Sequence, residues 1–153
     1  MKQFVKIILN KIWSLKKPKF ENRVIYYHSV ADNLERAHTK VSFAKQMDWL
    51  KNNGITGTSV SKLISETEKG VKDTIGISFD DGYADNCDVA SRILLDRGFT
   101  ATIFIATNYC SKYQRTASSE GYRLYPGRNM LNHSDLKYLS SKGFEIGSHG
   151  MSH

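Results

Sequence analysis

An α/β fold with parallel strands is the architecture predicted for this 153-residue chain, because strand-like and helix-like segments alternate along it. Two further observations support that order. Residues 100–106, Thr-Ala-Thr-Ile-Phe-Ile-Ala, are nearly continuous in apolar character, the pattern of a strand buried on both faces. The two chemically richest stretches, 80–82 and 149–153, each follow a predicted strand, where parallel α/β folds place their sites.

The elements follow in order. Arg23-Val24-Ile25-Tyr26-Tyr27-His28 is β-branched and aromatic and reads as a strand. Residues 42–53 read as a helix with Ser42 as N-cap, Phe43, Met47 and Leu50 on one face and Gly54 as the stop. A short helix over 61–69 ends at Gly70. Thr74 to Phe79 is the next strand. Residues 84–97 are helical in pattern, with Val89, Ile93 and Leu94 inward and Gly98 past the end. After the apolar strand, 107–130 reads as a long polar loop, a length that inside compact domains tends to be functional. A helix over 134–142 closes at Gly143, and Phe144-Glu145-Ile146-Gly147 leads as a strand into the final histidines.

Composition excludes several classes. With 40% apolar and 24% charged residues the chain reads as a soluble globular protein of one domain with its own core. The formal net charge is +7, but residues 1–23 carry seven basic residues and a single acid, Glu21, so the remainder is near neutral. The basicity therefore describes an N-terminal arm, and no nucleic-acid partner is expected. At helical spacing the arm's Phe4, Val5, Ile8, Ile12 and Leu15 share a face, which suits an anionic membrane surface contacted through residues 1–17. A packed extension is the plainer reading. An export signal is disfavoured, because Lys6, Asn10 and Lys11 break the apolar run and no small-x-small cleavage site follows. Cys87 and Cys110 fit no metal or redox spacing and are expected as thiols.

The chemistry concentrates in Asp80-Asp81-Gly82 and in His149-Gly150-Met151-Ser152-His153. Adjacent residues leaving a strand point in different directions, so one carboxylate can bind a cation while its neighbour acts as a base. An Asp-Gly turn with Asp80 as a helix cap is the plain alternative. Two imidazoles four residues apart would project to one side of a helical turn and suit a shared metal. One Asp, two His and a spare Asp make the inventory of a metal-dependent hydrolase.

The motifs resemble those of the polysaccharide deacetylases of the NodB-homology type, carbohydrate esterase family 4. Ser78-Phe79-Asp80-Asp81-Gly82 is similar to that family's T/S-F-D-D-G, and His149 to His153 to its H-S/T-x-x-H, with Gly150 in place of Ser or Thr. Tyr26-Tyr27-His28-Ser29-Val30 and the run from Met130-Leu131 to Gly147-Ser148 resemble it as well, so the likeness covers about residues 23–153. It implies the N-terminal portion of a distorted (β/α) barrel, incomplete in this chain, in which Asp81, His149 and His153 ligate a divalent metal, Zn²⁺ foremost, and Asp80 is the catalytic base. The implied reaction removes N-acetyl groups from an N-acetylated polysaccharide. His28 is expected only to pack or hydrogen-bond beside the site.

The family's later motifs, an Arg that orients the base and a His acting as general acid, have no counterpart after His153. The expectation is therefore an arm over 1–22 and a truncated deacetylase domain over 23–153, with impaired turnover and cytoplasmic or membrane-peripheral placement. The alternative is an inactive remnant that binds glycans or a partner at a membrane surface. A third reading keeps the hydrolase and changes the bond to a cyclic imide or a peptidoglycan acetamide.

Overall fold

The computed structural model describes residues 23–32, 37–111 and 128–152. The basic arm, most of the predicted long loop and His153 lie outside the described residues. The elements are β1 (Val24–Tyr27), α1 (Lys40–Asn52), β2 (Thr56–Thr58), α2 (Val60–Glu68) and β3 (Thr74–Phe79). A π-helical turn (Asn86–Ala90) then runs into α3 (Ser91–Leu95), followed by β4 (Thr102–Ile105), a 3-10 turn (Thr107–Tyr109), α4 (His133–Ser141) and β5 (Glu145–Ser148). Every strand pairing among them is parallel, as the alternation predicts.

The sheet runs β1-β3-β4-β5, with β2 paired to β3 off that path. Register explains the irregularity. Gly76 of β3 pairs with Val24 on one side and with Thr58 on the other, while Ser78 and Phe79 pair with Thr102 and Ile103. Thus β2 lies along the first half of β3 and β4 along the second. The carboxyl end of β3 therefore meets the first two residues of β4, past the stretch of β3 that β2 occupies. Sequence reading missed β2, since Thr-Gly-Thr is too short to show a period.

Pleat alternation divides the sheet. One face carries Tyr27, Ile75, Ile77, Phe79, Ile103 and Ile105, all buried against Phe43, Met47 and Leu50 of α1 and Ala90 and Leu94 of the helical run. Each such apolar side chain contributes about 1.5–3 kcal/mol when fully buried. The opposite face has α2 at its amino end, where Leu63 and Val24 crowd Gly76 so closely that an added Cβ would sit 3.0 Å from Val24 Cγ2. Residues 28, 80 and 149 share this second face by alternation, beyond the ends of β1, β3 and β5.

Local signals explain the helix ends, with small corrections. Helix α1 starts at Lys40, not Ser42: Thr39 is the N-cap, its hydroxyl accepting from Ser42 N at 3.1 Å. Ser59 caps α2 in the same way, and Asn132 with Asp135 forms a capping box on α4. The predicted helix over 84–97 begins with the π turn, a widening that recurs at functional positions. No helix among the described residues is long and apolar enough to cross a membrane.

Candidate functional site

The acidic turn is built by β3, whose six residues are all buried. Asp80 N donates to Tyr27 O at 2.9 Å, carrying the pairing with β1 one residue past the strand. The chain then turns left-handed twice, at Asp81 (φ 73°) and Gly82 (φ 82°). Asp tolerates that region better than most residues, and such conformations persist where the surroundings hold them. Gly82 is required twice over, because a Cβ there would also lie 3.0 Å from Ile105 Cγ2. Asp81 O accepts from Ala106 N (3.3 Å) and Gly82 O from Leu131 N (2.9 Å), so the turn is pinned between the end of β4 and the approach to α4.

The histidine segment is pinned to the same strand end. His149 N donates to Ile105 O at 2.8 Å, Gly150 O accepts from Thr107 N at 3.1 Å, and Met151 O accepts from Asn108 N at 2.9 Å. The Thr107 hydroxyl adds a 3.3 Å bond to Gly150 O. This corrects the helical turn expected for the motif: residues 149–152 run beside the exit of β4 and are not helical. Gly150 has φ 82°, and a Cβ added there would meet nothing within 4 Å. Backbone conformation and not space therefore favours glycine where the resembling motif has Ser or Thr.

These two pinned segments bring His149 Nε2 to 3.7 Å from Asp81 Oδ1. The Asp81 side chain is 4% exposed and that of His149 34%, so one donor lies deep and the other on the rim. Two ligands on a tetrahedral cation with bonds of about 2.1 Å stand roughly 3.4 Å apart. The pair therefore fits a divalent cation within a few tenths of an ångström, with oxygen and nitrogen donors that suit zinc. Asp80, partly exposed, stands beside them. Of the three ligands expected from the sequence, Asp81 and His149 are brought together and His153 lies outside the described residues. No group of three His, Cys, Asp or Glu gathers around a cation position among the described residues.

Sequence reading missed the layer beneath the turn. Asp85 accepts from Ser29 Oγ at 2.6 Å and Val30 N at 3.1 Å, and Asn86 Nδ2 donates to His28 O at 2.9 Å. Burial pushes the Asp85 carboxyl above its ordinary value, while those hydrogen bonds and the Arg128 cation pull the other way. Arg128 is buried, with its guanidinium 5.3 Å from the centre of the Tyr83 ring. Tyr83 also bridges Met130, fixing the end of the long segment after β4 against the acidic turn. His28 packs edge-on to Tyr26 and uses its carbonyl here. An apolar groove of about 420 Å³ between β1 and α1, lined by Tyr27, Met47 and Trp49 among others, lies away from this chemistry.

Fold and site together define a parallel α/β domain with a carboxylate–imidazole centre at the carboxyl ends of its strands. Residues 67–153, more than half of the chain, match the polysaccharide deacetylase family. The chain belongs to that family. It is 28% identical over 133 residues to YxkH of Bacillus subtilis, a protein named for the same family, covering 85% of this chain and 42% of YxkH. Its fold matches IcaB from Ammonifex degensii with a TM-score of 0.68 at 20% identity, covering 84% of this chain and 52% of that one. A de-N-acetylase from Aggregatibacter actinomycetemcomitans gives 0.67 at 24% identity, covering 84% and 54%. The chain thus spans about half the length of these solved structures and less than half of the curated relative.

Proposed function

We propose that this chain carries the metal-binding part of a polysaccharide N-deacetylase centre, with Asp81, His149 and His153 as ligands and Asp80 as general base. The observation that carries the reading is the 3.7 Å approach of His149 Nε2 to Asp81 Oδ1 beside Asp80. Family membership supports hydrolysis of an acetamide on an N-acetylated polysaccharide. A cation held there, zinc by its donor chemistry, would polarise the scissile carbonyl and lower the pKa of water. The chain's own part is to fix Asp81 by the left-handed turn, to set His149 against it through the end of β4, and to hold Asp80 where it can take a proton from the attacking water. The acetyl carbon–nitrogen bond then breaks as the proton taken from water passes to the leaving nitrogen, releasing acetate and leaving a sugar amine.

Two measurements on the full chain test this. Isothermal titration with Zn²⁺ is expected to give a single site that is lost in His149→Ala. Acetate release from N-acetylglucosamine oligomers is expected to fall at least about 100-fold in Asp80→Asn, the size of a general-base contribution. Turnover equal in Asp80→Asn and the unaltered chain would remove Asp80 as the base. Zinc binding unchanged by His149→Ala would remove the centre itself.

A further inference from the structure

We infer that Asp85 is a positioning residue for the acidic turn, acting through a closed ring of hydrogen bonds that ties Asp80–Asn86 to the exit of β1. This rests on the reading of that turn as the reactive centre. The ring has a bond at each end. At its start, Asp80 N donates to Tyr27 O at 2.9 Å. At its far end, the Asp85 carboxylate takes Ser29 Oγ at 2.6 Å and Val30 N at 3.1 Å, while Asn86 Nδ2 bridges His28 O at 2.9 Å and Asp85 Oδ1 at 3.2 Å. Four consecutive residues of the β1 exit thus hold both ends of a seven-residue segment. Between those ends lie Asp81 and Gly82, the two consecutive left-handed residues.

The chemistry requires a carboxylate of this reach. Ser29 and Val30 are buried, and with Asn86 Nδ2 they aim three donors at one side chain, which the two oxygens of a carboxylate accept together. Its charge is faced by the Arg128 cation, which lies over Tyr83 in the same turn, while Asp88 repels it. A left-handed non-glycine residue such as Asp81 persists only where its surroundings over-determine it. The ring supplies that constraint from the β1 side, and Ala106 N and Leu131 N supply it from the other. Asp85 touches neither substrate nor cation; it keeps Asp81 at the geometry that meets His149.

Amide hydrogen exchange and zinc titration on the full chain test the inference. In Asp85→Ala, exchange is expected to rise at least tenfold at Val30 and also at Asp80 and Ala106, whose amides bond across the turn, with β3 and β4 amides unchanged. Zinc affinity is expected to fall about 10- to 100-fold, the range for residues that orient a ligand. Ser29→Ala removes one bond only and should reproduce the pattern at smaller amplitude if the alanine at 85 prevents folding. A rise confined to residues 29–31, or an unchanged zinc affinity, would reduce Asp85 to a local structural contact and overturn the proposal. Should the unaltered chain bind no zinc, the reading of the centre fails, and the exchange at Asp80 and Ala106 alone decides the ring.

Discussion

At the amino ends of the strands, Glu145 accepts from Thr102 Oγ1 at 2.7 Å and, in the first turn of α2, from Ser61 N at 3.1 Å and the Ser61 hydroxyl. At the carboxyl ends, Asp85 and Asp81 are held far deeper. The consequences are opposite. Burial would raise the Glu145 carboxyl, but bonds from Ser61, Thr102 and Ser59 outweigh it and hold the group below its ordinary value. At Asp85 burial wins over similar bonds and over Arg128. Glu145 ties α2, β4 and β5 together, whereas Asp85 ties the acidic turn to the exit of β1. The difference follows the usual division of such folds, in which one end of the parallel sheet serves stability and the other carries chemistry.

The largest expected effect lies at the carboxyl end. Asp81→Asn keeps the shape and the left-handed tolerance but removes a charged donor, so zinc affinity should fall at least about 100-fold, more than the loss expected for a residue that only orients a ligand. Thermal melting should shift little. A large loss of melting temperature with zinc affinity retained would invert the comparison.

At the amino end the signature reverses. Glu145→Ala strips partners from Ser61 and Thr102 and should destabilise the chain by about 1–3 kcal/mol, measured by urea unfolding. Zinc titration should be unaffected. Coupling between Glu145 and zinc affinity would show that the two ends are not separate.

The smallest effect is in acid. The folded value of Glu145 lies below its ordinary 4.5, so its contribution is present above that pH and is lost as pH falls through the folded value. Asp85 has the opposite sign: its raised value favours the folded state below its ordinary 3.8 and withdraws that support as pH rises. The melting difference between the unaltered chain and Glu145→Gln should therefore close as pH falls below the ordinary 4.5 of Glu145, while the Asp85 contribution cancels in the subtraction. A difference that widens in acid would assign the lowered group elsewhere.

Much of this architecture was legible beforehand. The apolar runs of β3 and β4 and the periodic faces of the helices are local patterns, and the order of strands and helices followed from them, although the N-cap of α1 fell at Thr39 and not at Ser42. The acidic turn was legible because a strand that stops at Asp-Asp-Gly places two carboxylates where the backbone bends. Other features were not. Strand β2 is three residues long and carries no period. The histidine segment has helical spacing, yet Gly150 turns left-handed and the exit of β4 recruits its carbonyls, so pairing overrode spacing. Asp85 falls inside the segment predicted as a helix over 84–97 and carries no local signal of its role, because its partner Ser29 lies 56 residues away.

Sequence alone determined the elements, the apolar face that buries them, and the residue types able to bind a cation, since each depends on neighbours within a few positions. Tertiary structure decided which carboxylate meets which imidazole, which one ties the turn to the exit of β1, and which one anchors the far end. Those outcomes depend on strand order and register, and the backbone hydrogen bonds from Ile105 and Ala106 of one strand end set Asp81 and His149 face to face.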